Sequence, residues 1–408
     1  MTPSYAKRQF DPHAPGMLSG LRILDLSRLV SGNILTSQLA DFGAEVIKIE
    51  SLPDGDPFRN WQGGGVPLHW KEYCRNKKSV SLNLRDDAAK EILLKLVEKA
   101  DGLVENFRPG RMEEIGLGPD VLLKRNPRLI MTRVSGFGQT GPYREYGGFG
   151  TLVEAMSGYA SRSGFEDREP VLPPLALADN IAGITGAMAT MMALYHRDAR
   201  GGTGQVIDVS LLEPIYAVLG PEAARFKFTG KVKKRVGSAS STSAPRNVYK
   251  TKEGHWVAMS ASIPSMVRRL FKAIGRDDLN HDPRLQSHAD RFKHRDELDA
   301  ILNGFIGQRT LEENLDFFRG NEITVGPLYD ISQIVEDQHF IEREILVDVP
   351  DEDLGETPQH DVIPRFSGMP GNFYRPAPKL GEHNEEILGA LGYGPAALDD
   401  LRKRGVIG

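Results

Sequence analysis

Residues 21–49 read LRILDLSRLVSGNILTSQLADFGAEVIKI. The runs Leu21–Leu26 and Glu45–Ile49 have the length and residue types of short β-strands. Between them lies the helical pattern Ile34–Phe42, which ends at Gly43. Strand, helix and strand within about 30 residues form a βαβ unit, whose crossover pairs the strands in parallel. This stretch therefore predicts an α/β fold.

Strand-like and helix-like segments continue to alternate as far as Val209. Such alternation is typical of a doubly wound, mostly parallel sheet with helices on both faces. The sequence therefore predicts a Rossmann-like large domain. Further strands are predicted at Ser79–Leu84, Gly102–Glu105, Leu129–Val134 and Gln205–Val209, and further helices at Asp86–Lys99, Pro119–Arg125 and Ile181–Tyr195.

The sequence changes in character near Gly230. The stretch Gly237–Ala244 is rich in Ser and Gly, which is typical of an exposed linker or loop. A hairpin-like pair follows, Asn247–Thr251 and His255–Ser260, and helical patterns come after it. These features predict a second, smaller α+β domain.

The composition and charge of the chain exclude several classes of protein. Its 408 residues carry 51 Lys and Arg against 55 Asp and Glu, a formal charge of −4, so neither nucleic acid nor an acidic membrane is an expected partner. No apolar run approaches the roughly 20 residues of a membrane span, and residues 1–16 lack the apolar core of a signal peptide. We therefore expect a cytoplasmic protein that acts on small molecules.

Metal and nicotinamide sites are not predicted. The single cysteine, Cys74, allows no disulfide within the chain and no thiolate cluster for zinc, and the ten histidines form no H-x-x-x-H pair. Gly136–Gly141 matches G-x-G-x-x-G, but Pro142–Arg144 follows it instead of the helix that a dinucleotide site needs. Such a loop across the mouth of the sheet is still suited to lining a pocket.

The position of Asp179 allows two interpretations. This residue follows the extended segment Pro173–Ala178 and precedes the apolar helical pattern Ile181–Tyr195. Asp is a favoured helix N-cap, and spacing alone favours that structural role. Alternatively, the helix dipole and the N–H groups of the first turn would hold the carboxylate ionised, as a nucleophile for an activated acyl group.

Basic side chains lie in two loops that flank predicted strands. One set, Arg75–Lys78, precedes a strand, and the other, Glu105–Arg111, follows one. Ligands of doubly wound folds lie at the carboxyl ends of strands, where Arg and Lys can hold phosphates and Phe107 can pack on an adenine. Solvated loop charges are an equally good interpretation of these residues taken alone.

Several ordered stretches together make the chain resemble the class III coenzyme A transferases, the family of the formyl-CoA:oxalate and carnitine CoA-transferases. One such motif would be weak evidence, but the similar stretches follow the family's order over nearly the whole chain. They are Leu18–Asp25, Gly43–Glu50, Arg75–Ser79, Glu105–Gly110, Asn126–Ile130, Ser135–Gly138, Gly326–Tyr329 and Pro378–Asn384.

The resemblance implies a reaction and its nucleophile. Asp179 would attack a donor acyl-CoA to give a mixed anhydride, and the CoA thiolate would then convert the anhydride to an aspartyl-CoA thioester. An acceptor carboxylate, from a small carboxylic or dicarboxylic acid, would reverse these steps. The resemblance also implies that CoA and acyl-CoA are substrates and that no cofactor is tightly bound.

The family's CoA contacts match this sequence unevenly. Asn106 and Phe107 match positions that line the nucleotide part of the CoA site. Glu114 and Ser135 stand where the oxalate enzyme has an arginine and a lysine, and Val30 stands at the position of its gating glutamine. The phosphate contacts are therefore expected from other basic residues, namely Arg75, Lys77, Arg108 or Arg111. The Ser-rich stretch Gly237–Ser243 is the expected counterpart of the oxalate enzyme's active-site glycine loop.

The resemblance also implies an architecture. Two chains would thread through one another as interlocked rings and form a homodimer. Residues 1–210 and 380–408 would form the large Rossmann-like CoA-binding domain, and residues 230–350 the small α+β domain. Residues 211–229 and 351–379 would be linkers.

Two other functions compete with CoA transfer. Acyl-CoA racemases and epimerases share this fold and use the same Asp with a histidine to exchange an α-proton. The matching stretch here, Tyr146–Gly150, contains no histidine, which favours the transferase. A CoA-binding protein without catalysis is the second alternative, and the presence of Asp179 argues against it.

Overall fold

The computed structural model describes residues 4–240 and 243–408. The chain forms two compact units, of which the large unit comprises Met1–Gly158, Pro173–Gly220 and Gln338–Gly408. The small unit comprises Tyr159–Leu172 and Pro221–Asp337.

The strands and helices are numbered in chain order. The strands are β1 Ala6–Lys7, β2 Arg22–Asp25, β3 Glu45–Glu50, β4 Lys77–Ser81, β5 Gly102–Glu105, β6 Ile130–Ser135, β7 Gln205–Ser210, β8 Arg246–Lys250, β9 Trp256–Ser260, β10 Val325–Pro327, β11 Leu346–Asp351 and β12 Gly355–His360. The first helices are α1 Ser31–Ala40, α2 Leu68–Tyr73, α3 Asp87–Val97, α4 Arg111–Glu114, α5 Pro119–Arg125, α6 Gly150–Met156, α7 Leu177–Ala199, α8 Leu212–Val218 and α9 Glu222–Thr229. The later helices are α10 Pro264–Ala273, α11 His288–Lys293, α12 Arg295–Ile306, α13 Leu311–Gly320, α14 Ile331–Ile334, α15 Gln338–Glu342, α16 Asn384–Gly389 and α17 Pro395–Lys403.

A six-stranded parallel sheet forms the centre of the large unit. Its strand order is β4-β3-β2-β5-β6-β7, so the direction of winding reverses between β2 and β5. Strands β2, β3, β5 and β6 are almost wholly buried, which explains why their sequences are rich in apolar residues without a strict alternation. The predicted mixed α/β fold with a large parallel sheet is confirmed.

The predicted domain boundaries differ from the two units at their ends. Strand β1 pairs in parallel with β11, which pairs in turn with β12, and this small sheet belongs to the large unit. Residues 338–350, predicted in the small domain, therefore join the large unit, and the predicted linker 351–379 contains β12. The other predicted linker, 211–229, forms α8 and α9.

The small unit combines an antiparallel sheet with helices. The predicted hairpin is present as β8 and β9, and β10 pairs with the other edge of β9. Helices α10, α12 and α13 supply apolar side chains to one core with the hairpin, including Phe271, Leu302 and Phe318.

Among the described helices, α7 of the large unit is long and apolar enough to cross a membrane by length and composition alone.

A cluster of charged groups is buried under the carboxyl ends of β2 and β3. The ammonium of Lys48 lies 3.1 Å from Asp56 Oδ2 and 3.6 Å from Asp25 Oδ1. The ammonium of Lys77 lies 3.2 Å from Asp25 Oδ2 and donates to Asn33 Oδ1 at 2.9 Å. Burial alone would raise the pKa of Asp25, but the charges of Lys48 and Lys77, together with hydrogen bonds from Ser27 and Thr36, outweigh burial and lower this pKa to about 2. We call Asp25, Asn33, Lys48, Asp56 and Lys77 the buried ion cluster.

We predict that the substitution Lys48→Met lowers the free energy of unfolding by about 3–5 kcal/mol, because it leaves two buried carboxylates short of a cation. The matched control is Lys90→Met, which removes a solvent-screened surface pair with Asp87 and should change the free energy of unfolding far less. Urea denaturation of both variants provides the measurement. Equal losses would contradict the importance of the buried ion cluster.

Candidate active site

Two adjacent cavities lie at the carboxyl ends of the parallel strands, where the winding reverses between β2 and β5. The larger one has a volume of about 670 Å³ and the smaller one of about 260 Å³. Arg28, Phe107 and Arg108 line both cavities. Ligands of doubly wound folds bind at this reversal, so the two cavities form the candidate site.

Asn106 joins the two loops that form the floor of the site. Its Oδ1 accepts a hydrogen bond from the backbone N–H of Arg28 at 2.8 Å, and its Nδ2 donates to the carbonyl of Arg28 at 2.7 Å. Asn106 lines the smaller cavity, but its amide is engaged on the protein backbone. Phe107, which follows it, is half-buried and has the Arg28 guanidinium 5.6 Å from its ring centre.

The loop after β2 is held in a strained conformation by the buried ion cluster. Leu29 has a φ of 60°, a region that non-glycine residues rarely adopt. Its N–H donates to Asp56 Oδ1 at 2.9 Å, and its carbonyl accepts from Asn33 Nδ2 at 2.6 Å. Val30, the next residue, is only 6% exposed because it packs into an apolar cluster with Phe58. Val30 was predicted to contact the ligand, but it packs in the protein interior instead. Its neighbours Leu29 and Ser31 line the site.

Asp179 lies in the first turn of α7 and lines the smaller cavity. Helix α7 begins at Leu177, four residues before the predicted start, and its N-cap residue is Ala176. The N-cap interpretation of Asp179 is therefore wrong, because its carboxylate belongs to the third helical residue and faces the cavity.

Glycines on α7 bring this helix close to α1. A β-carbon on Gly183 would lie 2.7 Å from the carbonyl oxygen of Ser31, and one on Gly186 would lie 2.5 Å from Leu35 Cδ1. Ordinary side chains at these positions would push α1 away. The close packing places Ser31 beside Asp179, where hydrogen bonds from the Ser31 side chain and backbone act to lower the pKa of the carboxyl.

A second carboxylate, Glu154 on α6, lies next to Asp179. Glu154 is 3% exposed, and its Oε1 accepts a hydrogen bond from the backbone N–H of Ala178 at 3.0 Å. Burial first, and the charge of Glu154 second, raise the pKa of Asp179 to about 6. Glu154 was not found from the sequence, since it lies in a short helix with no recognisable motif.

Arginines surround the larger cavity. The predicted Arg108 and Arg111 line it, and both form ion pairs with Glu114, at 2.7 and 3.0 Å. Arg28 and Arg85 also line it and were not predicted. Within the described ranges neither Arg28 nor Arg85 forms an ion pair. Arg28 follows the end of β2, and Arg85 follows the end of β4. Both arginines could have been predicted as site residues from these positions.

The predicted ligand contacts of Arg75 and Lys77 are corrected by their burial. Arg75 is 1% exposed, pairs with Asp41 at 2.8 Å and lies over the ring of Phe373. Lys77 is fully buried in the ion cluster. Both lie at the amino end of β4, whereas ligands of this fold bind at carboxyl ends.

The loop after β6 forms one wall of the smaller cavity. Its base is closed by Gly136 and Gly148, whose backbones approach so closely that a β-carbon on Gly136 would lie 2.4 Å from Gly148 Cα. The loop carries Arg144, Tyr146 and Phe149, all of which line the cavity and were not predicted. Of the G-x-G-x-x-G stretch itself, Gly136 lines this cavity.

Two further predictions concern the Ser-rich loop and metals. Part of Gly237–Ser243, namely residues 241 and 242, lies outside the described residues, so its counterpart role stays a prediction. In the part of the chain that the structure describes, no group of three or more His, Cys, Asp or Glu residues is placed to hold a metal ion.

Comparisons with known proteins agree on one family. A model of CoA-transferase family III matches residues 18–384. The succinyl-CoA–D-citramalate CoA-transferase of Chloroflexus aurantiacus is 38% identical over 377 residues, which cover 92% of this chain and 94% of that protein. The succinyl-CoA:glutarate CoA-transferase of Mus musculus is 32% identical over 397 residues, 96% of this chain and 90% of that protein. The crystal structure of a CAIB/BAIF family protein from Brucella suis has a TM-score of 0.80 and 29% identity, and covers 92% of this chain and 100% of that one.

We predict that Asp179→Asn stabilises the protein above pH 6. The carboxyl loses its proton near pH 4 when the chain is unfolded but only near pH 6 when it is folded, so stability falls as the pH rises between these values. The neutral, equally large Asn removes this cost and should add on the order of 1–3 kcal/mol at pH 8. At pH 4.5 the gain should be much smaller.

Urea denaturation of both proteins at pH 4.5 and pH 8 provides the measurement. A difference between the two proteins that does not change with pH would contradict the raised pKa of Asp179.

Proposed function

The chain belongs to CoA-transferase family III and is a class III CoA-transferase, and we propose that it works through a covalent intermediate on Asp179. The observation that carries this proposal is the position of the Asp179 carboxylate. It lines a small cavity that shares Arg28, Phe107 and Arg108 with a larger, arginine-lined cavity at the reversal point of the sheet. A nucleophile next to a site for an anionic carrier is the arrangement that acyl-CoA chemistry needs.

The proposed reaction needs no oxidant or reductant, and it neither consumes nor releases a proton overall. A carboxylate oxygen of Asp179 attacks the thioester carbonyl of the donor, the C–S bond breaks, and an anhydride and the CoA thiolate form. The thiolate attacks the Asp179 carbonyl carbon and releases the donor acid, which leaves an aspartyl-CoA thioester. The acceptor carboxylate attacks the carbonyl carbon of this thioester, the C–S bond breaks, and a second anhydride and free CoA thiolate form. The thiolate then attacks the acceptor's acyl carbon, which gives the product acyl-CoA and restores the Asp179 carboxylate.

The larger cavity is the proposed site of the CoA nucleotide. Its volume of about 670 Å³ is in the range of small-molecule sites. Arg28 and Arg85 form no ion pair among the described residues, so they can pair with phosphates directly, whereas Arg108 and Arg111 would exchange Glu114 for phosphate. Phe107, between the two cavities, offers its ring to the adenine.

The proposed acceptor is a dicarboxylic acid. The relatives described above are named for succinyl-CoA with citramalate or glutarate, which are dicarboxylates. One carboxylate of the acceptor must reach Asp179, and the other needs a cation at the wall of the smaller cavity. Arg144 lies on that wall, and its guanidinium pairs only with the exposed Glu145 among the described residues. We propose that Arg144 holds the carboxylate that does not react.

We also propose that a second copy of the chain covers the outer face of α7. Four large side chains on that face, Ile184, Met188, Met192 and Tyr195, are 53–60% exposed and recur at helical spacing. Monomeric proteins rarely expose such a continuous apolar stripe. The stripe supports the homodimer that the family resemblance implies, while the interlocked arrangement and the cytoplasmic location stay predictions.

The covalent mechanism predicts a trapped adduct on Asp179. Incubation with succinyl-CoA and quenching with hydroxylamine should leave a hydroxamate on the peptide that contains Asp179, detected by mass spectrometry. The matched variant Asp179→Asn should bind CoA, form no hydroxamate and lose transfer activity by about 10³-fold or more. Full transfer activity in Asp179→Asn would contradict the mechanism.

The dimer proposal predicts that Met188→Glu weakens self-association, because it buries a charge in the proposed interface. Sedimentation equilibrium should show a dimer for the unmodified protein and a shift towards monomer for this variant. The control Val121→Glu, at an exposed apolar residue of α5, should stay dimeric. A monomeric unmodified protein, or a Met188→Glu variant that dimerises equally well, would contradict the proposal.

A further inference from the structure

Glu154 is a buried acid. Its presence is not explained by a contribution to the stability of the fold. It is 3% exposed, and within residues 4–240 and 243–408 no Lys, Arg or His side chain forms an ion pair with it. Burying a carboxylate without a cation is costly, and an apolar residue would fill the same space more favourably. This cost suggests that the carboxylate serves the site beside it.

The side chain of Glu154 replaces the N-cap that α7 lacks. The N-cap residue of α7, Ala176, has no side chain that can accept a hydrogen bond from the first turn. The backbone N–H of Ala178 has no partner within the helix, and it donates to Glu154 Oε1 at 3.0 Å instead. Since Asp179 is the next residue, this bond fixes the turn that carries the nucleophile.

Gly150 shows how closely the two carboxylates approach one another. A β-carbon at Gly150 would lie 2.4 Å from Asp179 Oδ2 and 3.6 Å from Glu154 Oε1, so both carboxylates border this one residue. The negative charge of Glu154 at this position disfavours the ionised form of Asp179. The cations of the smaller cavity, Arg28, Arg108 and Arg144, line its wall together with Asp179, whereas Glu154 does not line it. Ser31, on α1, which also packs against α7, is uncharged.

We propose that Glu154 is a positioning residue that orients Asp179 through the first turn of α7 and uses its charge to favour the acylated forms of Asp179 over the free carboxylate. The inference rests on the proposed function. Asp179 becomes neutral when its carboxylate oxygen bonds to the acyl carbon and the CoA thiolate leaves, and it stays neutral when the thiolate displaces the donor acid from the Asp179 carbonyl. Each acylation therefore relieves the repulsion from Glu154, which deacylation restores.

The variant Glu154→Gln separates the effect of the Glu154 charge from the effect of its hydrogen bond to the first turn of α7. Gln keeps the size of the side chain and a carbonyl oxygen that accepts from Ala178, but it removes the negative charge. The pH midpoint of kcat/KM, which reports the ionisation of Asp179, should fall by about 0.5–1 unit. The fraction of Asp179 held as thioester with succinyl-CoA and no acceptor, trapped by hydroxylamine, should fall about threefold to tenfold.

The variant Glu154→Ala removes both charge and position. It should show the same shift in pH midpoint and an additional fall in kcat of about tenfold or more, because the first turn of α7 loses its acceptor. The matched control Glu91→Gln, at a remote exposed carboxylate on α3, should leave the pH midpoint and the trapped fraction unchanged. If the Ala variant does not fold, the Gln variant alone carries the test.

A pH midpoint and a trapped fraction in Glu154→Gln that equal those of the unmodified protein would overturn the inference. Failure of the proposed function gives a different result. In that case the unmodified protein itself forms no hydroxamate, and Asp179→Asn retains its transfer activity.

Discussion

The buried ion cluster of Asp25, Asn33, Lys48, Asp56 and Lys77 is the constraint on which the site depends. It joins three parallel strands beneath the loop after β2 and holds Leu29 in a conformation that the loop would not adopt in isolation. Helix α1 begins directly after that loop, so the cluster also sets the position of Ser31. Burying these charged groups costs solvation energy. In return, the rigid geometry of the cluster holds the loop in one conformation.

The site itself combines close packing with unfavourable electrostatics. The glycines of α7 bring Ser31 against Asp179, and Gly150 leaves just enough space for the carboxylate of Asp179 beside Glu154. Burial and like charge raise the pKa of Asp179 to about 6, so at neutral pH the carboxylate is ionised but poorly stabilised. The fold thus loses some stability at the residue where a reactive nucleophile is required.

The sequence was most informative where local pattern decides the structure. Gly102–Glu105 and Pro119–Arg125 have the predicted bounds because turn residues flank a short apolar run and a Pro begins a helix. Sequence cannot show exposure, so Arg75 and Lys77, which look like loop charges, proved to be buried. Glu154 could not be found because its partner lies 24 residues further along the chain, and only the packing of α6 on α7 brings the two together.

The most direct test of covalent catalysis at Asp179 is an oxygen-18 transfer experiment. The enzyme, loaded with succinyl-CoA, undergoes one turnover with a dicarboxylic acid whose carboxylates carry oxygen-18. The mass of the peptide that contains Asp179 is then measured by mass spectrometry. The proposed mechanism predicts that one labelled oxygen enters the Asp179 carboxylate, because the acceptor's oxygen stays there when the thiolate breaks the second anhydride. An unlabelled Asp179 after complete transfer would contradict a covalent role for this residue.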